Sequence, residues 1–441
     1  MKDNPGRSLR ERSETSLTFE DITMPTYADL ETHGDAHRLP NFKPLMVDDA
    51  LIDSLGLPYP VTPEVRAALA AGSARYKMLF DNNALQPSST YLEAEVASDQ
   101  ELEIHNYTNI CPTNVYEITP SSGSCSISCQ YCLVTDGNQC KQITVYTNYA
   151  EKLKASLERN TDKSFFYYFS PKTDAFSEPL LVSGVAHDVL RTFIDHFDRH
   201  PDSRVRLFIC SKAGMKQVRV AHRGDTILSL AGKLAGKAQW NGSIGIMPQY
   251  LRNILEPHAG TIADRLEVMQ HCQDMGLVSD SVLCQPLILP YLTPEFVEDY
   301  MSDLANAGVI NIKPEFLTAD LANLSLIAQY INYYDPERLA EFFQSYLMEE
   351  NQTHLKQRSR MAPEKSVCIE KLALIRDVAR RHGISISICN WVRRELMQKA
   401  AWVGSIAGDT GSKANGYACL GYYVRFFDDE AAEPAIRQSA E

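Results

Sequence analysis

The sequence predicts an α/β fold: a partial (β/α)6 TIM-like barrel with an N-terminal and a C-terminal extension. Three observations lead there. From residue 114 onward, six short runs rich in β-branched and aromatic residues recur along the chain. Helix-patterned segments separate them, an alternation that builds a parallel sheet through right-handed crossovers. No run of about 18 apolar residues breaks the pattern, so no segment is fit to span a membrane.

Taken in order, the first twenty residues, MKDNPGRSLRERSETSLTFE, are polar and charged without the apolar stretch of a secretory signal. Residues 1–25 are expected to form a flexible tail. Residues 26–110 read as a helical extension. Its clearest helix is TPEVRAALAAGSARYKMLF, where Thr62 offers an N-cap, Pro63 a first helical position and Glu64 an early acid. The barrel core is expected over 111–320. Its strands are NVYEIT, SFFYYFS, RVRLFICSK, WNGSIGIM, SVLCQPLILP and GVINIKPEF. Its helices are NYAEKLKASLERN, AHDVLRTFIDHF, DTILSLAGKLAGK, IADRLEVMQHCQDMG and TPEFVEDYMSDLANAG. Residues 321–441 would complete or cap the barrel. Within them CIEKLALIRDVARRHGISISICNW reads as helix, glycine turn and strand, a seventh barrel element. The glycine-rich GSIAGDTGSKANGYACLGYY is either a loop that approaches a ligand or an ordinary surface turn.

The charge narrows the partners. With 43 basic and 56 acidic residues the net charge is −13. Such a chain repels a phosphate backbone at long range, which argues against nucleic acid as substrate. The eleven cysteines are scattered and odd in number. They read as reduced thiols of a cytoplasmic protein.

Three of them are not scattered. CSISCQYC sets Cys125, Cys129 and Cys132 within eight residues, directly after the first strand. Chance would produce this spacing about 0.007 times per chain of this cysteine content. The position is the mouth of the expected barrel, where such folds do their chemistry. Thiolates so close together suit a soft metal centre. A [4Fe–4S] cluster held by three thiolates keeps one iron open, and an open iron can chelate S-adenosylmethionine. A zinc reading also stands: Cys140 as fourth ligand would make a zinc-bearing structural protein. No H-E-x-x-H pattern and no G-x4-G-K-[ST] loop occurs.

The C-x3-C-x2-C motif, with Tyr131 before its last cysteine, resembles the radical S-adenosylmethionine superfamily. Within it the chain is similar to the spore photoproduct lyase family over about residues 114–318. After the cysteines, ITVYTNYAEKL, YFSPKTD, RLFICSK, GSIGIM and NILEPHAGTIADRLEVMQHCQDMG follow in that family's order. The resemblance implies a core barrel of the radical S-adenosylmethionine type. It implies that Cys125, Cys129 and Cys132 bind the cluster and that Tyr131 lies beside it. Thr173 would face the methionine part of the cofactor, and Lys212 and Ser243 would reach its carboxylate and ribose. Glu256 and Asp264–Arg265 would organise a loop and cap a helix. A flavodoxin or ferredoxin-type electron donor is also implied.

Departures shift the expected substrate. Where the lyase carries its hydrogen-donating cysteine this chain has Ser170 or Pro171. Leu133 replaces a tyrosine after the third cluster cysteine. A small-molecule substrate, in the manner of natural-product biosynthesis, is therefore expected ahead of DNA repair. Cys140, Cys210 and Cys284 are candidates for catalytic thiols. Cys210 lies two before Lys212, so strand alternation turns both to one side. Cys389 and Cys419, with Cys140 or Cys111, could form an auxiliary cluster. Lys313 and Glu315 end the sixth strand, where barrel enzymes hold polar substrate groups.

Overall fold

The computed structural model describes residues 39–82, 90–97, 102, 115–132, 142–354 and 361–406. The strands are β1 (Tyr91–Ala94), β2 (Val115–Ile118), β3 (Ser121–Ser122), β4 (Ile143–Tyr146), β5 (Phe166–Phe169) and β6 (Arg206–Ser211). They continue with β7 (Ala221–His222), β8 (Asp225–Thr226), β9 (Ala238–Ser243), β10 (Ser281–Leu287), β11 (Asn311–Phe316) and β12 (Ser385–Ile386).

Seven of these make one mixed α/β core. The strand order is β12-β11-β10-β9-β6-β5-β2, and every pairing is parallel. Spatial neighbours are successive core strands along the chain, as βα units joined by short crossovers require. All six expected core strands are present, and β12 is the seventh. No pairing joins β2 to β12 among the described residues, so the sheet is open.

Alternation along the strands decides what each face does. Leu207, Ile209, Trp240, Val282, Cys284 and Ile312 point into a core shared with helices Val185–Arg199, Ile262–Asp274 and Pro294–Asn306. There Trp240 stacks on Phe176 at 4.8 Å. The intervening residues turn to the other face, which is unusually polar. Gln239 donates to Asn241 at 2.9 Å, and Ser281 donates to Asn311 at 3.0 Å. Both pairs are buried, and pairing removes the penalty of an unmatched polar group.

The N-terminal extension departs from the helical expectation. It holds helices Asp49–Ser54 and Pro63–Asp81, but it also supplies β1. That strand pairs in parallel with β4, and β4 pairs antiparallel with β3, in a second sheet of three strands. Helix Pro63–Asp81 starts where the Thr62-Pro63-Glu64 signal places it, without a bond from the Thr62 hydroxyl. The Thr62 amide instead donates to Gln352 Oε1 at 2.7 Å.

Part of the C-terminal extension does more than complete the sheet. Helix Leu321–Tyr334 packs on helix Pro63–Asp81, joining the two extensions in a second hydrophobic core. Gln329 clasps the Leu45 backbone from both sides, accepting from its amide at 2.5 Å and donating to its carbonyl at 2.8 Å. Tyr131, Met247 and Ile288 belong to the same core, so it reaches the cysteine loop. The tail of residues 1–25 and the glycine-rich segment from 407 onward lie outside the described residues.

Candidate active site

The cysteine loop follows β2 and is folded tightly on itself. Ser128 adopts a left-handed conformation at φ 53°. Its amide donates to the Cys125 carbonyl at 3.1 Å, and the Cys132 amide donates to the Cys129 carbonyl at 3.0 Å. The Gln130 amide donates to the Leu255 carbonyl at 2.8 Å, anchoring the loop to the helix that follows β9. The result is that Cys125, Cys129 and Cys132 all line one cavity of about 400 Å³.

Strand ends supply the remaining walls. Tyr168, Ser170 and Thr173 come from the end of β5, Cys210 and Lys212 from β6, and Ser243 from β9. Leu283, Gln285 and Glu315 come from β10 and β11. All seven residues named for the cluster and its cofactor therefore face a single space at the C-terminal edge of the sheet. Lys212 Nζ donates to Ser243 Oγ at 2.7 Å. Thr173 Oγ1 meets Ser121 Oγ at 3.3 Å. The Ser170 hydroxyl is buried on this wall without a hydrogen-bond partner.

Behind the cavity lies a buried ionic cluster. Tyr131 donates its hydroxyl to Glu256, and Arg265 donates to the other oxygen of that carboxylate. Arg252 joins at 3.4 Å. Arg252, Glu256 and Arg265 are each no more than 2% exposed. Burial alone raises the carboxyl of Glu256, but Arg265, Lys212 and Arg252 outweigh it and hold the group at about 2. Arg265 also donates to the Ser243 carbonyl at 2.6 Å and the Gly260 carbonyl at 2.7 Å. Asp264 caps its helix through a reciprocal pair with Thr261, as expected. Arg265 does more than the helix-start role expected of it, since it ties Glu256 to the strand bearing Ser243.

Burial also pushes the Cys125 thiol up to about 12, with the Asp174 charge adding to it. The Cys129 thiol is raised by burial as well, against the opposing pull of Lys212. Lys212 itself is raised: burial works against its ammonium, and Cys129 and Glu256 prevail.

Some expectations need correction. Cys284 is buried and does not reach the cavity; its Sγ lies 3.4 Å from the Tyr300 hydroxyl. Leu283 and Gln285 take the cavity side of β10, so alternation sends Cys284 toward the helices. Cys210 does open onto the cavity together with Lys212. Of Lys313 and Glu315, Glu315 forms part of the wall, and Lys313 donates to it at 2.6 Å. Cys389 stands at the N-cap of helix Asn390–Met397 and is not among the cavity walls. Cys111, Cys140 and Cys419 lie outside the described residues.

Two residues escaped the sequence reading. Asp174 accepts from Phe176 N at 2.9 Å, Ser211 Oγ at 2.8 Å and Lys212 N at 2.7 Å, and its own amide donates to Cys125 Sγ at 3.4 Å. It thereby fixes Cys125 and the Lys212 backbone together. An aspartate bonding two residues on is a local turn signal, present in KTDAF. Arg252 carried no local signal, because its partner Glu256 becomes buried only in the folded chain. Compared with known proteins, the chain matches no family model and no curated sequence.

Proposed function

We propose that this chain is a radical S-adenosylmethionine enzyme acting on a small polar molecule. The observation that carries the reading is the meeting of Cys125, Cys129, Cys132, Tyr131, Thr173, Lys212 and Ser243 around one cavity. The sequential strand order and the polar inner face support a partial (β/α) barrel as its scaffold.

The walls fit the cofactors on two counts. The cavity has the volume of an ordinary small-ligand site, in the range of about 300–1,000 Å³. Ser170 offers an unsatisfied hydroxyl and Lys212 an ammonium.

Cys125, Cys129 and Cys132 would hold the [4Fe–4S] cluster. When bound, it supplies the electron that cleaves S-adenosylmethionine to a 5′-deoxyadenosyl radical, the hydrogen-abstracting species. Lys212 would pair with the methionine carboxylate, with Ser243 fixing its ammonium. Tyr131, clamped by Glu256, gives the loop a rigid aromatic back wall. Tyr168, Gln285 and Glu315 are left for the substrate, with no extended basic groove of the kind a DNA strand demands among the described walls.

The test is anaerobic reconstitution with iron and sulfide, followed by S-adenosylmethionine and dithionite. The expected result is 5′-deoxyadenosine from the wild type and none from the Cys125/Cys129/Cys132→Ala variant. Stoichiometric zinc with no bound iron would overturn the reading.

A further inference from the structure

A second constellation lies at the other end of the sheet. Glu158 is in the last turn of helix Tyr149–Arg159, His196 is in the last turn of helix Val185–Arg199, and His200 is that helix's C-cap. These helix ends lead into β5 and β6, whereas the cavity opens where those strands finish. One ligand atom from each of the three residues lies within 4.8 Å of the others.

The surroundings of His196 suit a cation. Ser203 Oγ has one proton and donates it to the Thr161 carbonyl at 3.2 Å. The same oxygen lies 2.9 Å from His196 Nε2. With the ring proton on Nε2, one of the two tautomers this contact accommodates, Nδ1 keeps its lone pair for an ion. His196 is fully buried, and Nδ1 has no hydrogen-bond partner among the described residues. It faces Glu158 Oε1 at 3.8 Å. His196 Nδ1 and a Glu158 oxygen thus face each other across a gap that one ion could bridge. His200 Nε2 stands 2.8 Å from the second Glu158 oxygen.

We propose that Glu158, His196 and His200 form a binding site for a zinc-class divalent ion that staples the two helices. Two imidazoles four residues apart lie on one helix face, and a carboxylate completes a nitrogen–oxygen set suited to such an ion. The helix C-terminus adds a favourable partial negative charge. Arg199 now pairs with Glu158 Oε1, so it is the competitor the ion displaces. Its side chain is 43% exposed, and besides that pair it gives up a bond from Nε to the Asp195 carbonyl, 3.1 Å, when it swings into solvent.

The test is a titration of Co2+, then Zn2+, into the chelator-treated full-length chain. Ligand-field absorption separates cobalt held by nitrogen and oxygen from cobalt held by thiolate, which adds a sulfur-to-metal band. The expected result is one thiolate-free equivalent in the wild type, displaced by Zn2+. His200→Gln and His196→Gln should each weaken it by more than about 100-fold, beyond the loss of an outer-shell partner. His200 is partly exposed, so that variant keeps its fold. Arg199→Ala should tighten binding, a gain that a purely structural role for the cluster does not produce. Identical titrations for wild type and both histidine variants would overturn the proposal, as would weaker binding in Arg199→Ala.

Discussion

Glu256 shows how the candidate site is held. Its carboxylate is surrounded by Arg265, Arg252 and the Tyr131 hydroxyl, with Lys212 near enough to act on its charge. An ordinary glutamate titrates near about 4.3, and this one titrates at about 2 in the folded chain. Its contribution to stability is therefore complete above the ordinary value and is lost as pH falls toward 2. Glu256→Gln leaves two buried guanidinium groups without a counter-ion. We expect a loss of about 3–5 kcal/mol at neutral pH, the cost of breaking a buried pair. Urea unfolding at several pH values checks this, and the gap between wild type and variant should close between about pH 4 and about pH 2. A gap independent of pH would refute the assignment. At Lys212 the prediction is functional. Lys212→Met keeps the stem and removes the ammonium, so iron content should hold. Under the proposed function, S-adenosylmethionine affinity, read by equilibrium dialysis, should fall by about 10–100-fold, the worth of one charged hydrogen bond. Unchanged affinity would place the carboxylate elsewhere.

Elements meet closely where the site needs rigidity. Gly260 precedes helix Ile262–Asp274, and its amide donates to the Lys212 carbonyl at 2.9 Å. A Cβ at Gly260 would stand 2.6 Å from both Cα and N of Gly214, where neither backbone can give way. Gly260→Ala must therefore separate the two segments. We expect about 1–3 kcal/mol of destabilisation, as for other overpacked contacts. Weaker cofactor binding should accompany it, because Lys212 moves with its carbonyl. Thermal melting and dialysis on one preparation read both, and a stable variant with normal affinity would show that the approach is not needed. At this scale the strands were legible in advance, since β-branched and aromatic runs mark them and alternation sent Cys210 and Lys212 to one side. Cys284 was misjudged because composition does not say which parity faces the cavity; the neighbours Leu283 and Gln285 decide it.

Across the whole molecule, segments from the two extensions combine beside the cavity. Leu69 is fully buried and sits in the second core with Leu324, Ile327, Tyr330 and Ile331. Its carbonyl accepts from Ser325 Oγ at 2.9 Å, a bond that spans 256 residues of chain. Leu69→Ala should cost about 2–5 kcal/mol, the range for a buried leucine that leaves a cavity. Denaturant unfolding checks this, and limited proteolysis should then cut the 39–82 segment before the sheet. Loss of the whole fold in a single step would instead make both cores one cooperative unit.

Local patterns determined much of this protein. The cysteine spacing, the strand runs, the helix between each pair and the Thr62-Pro63 helix start are all written in contiguous residues, because propensity, capping and thiol spacing act over a few positions. Only the tertiary structure decided which of those residues share a space. The Tyr131–Glu256 contact, the Asp174 link from Cys125 to Lys212, the Glu158–His196–His200 cluster and the joining of the two extensions all depend on long-range packing. Burial turns such pairs from solvated surface charges into strong interactions, and burial is a property of the fold rather than of any short stretch of chain.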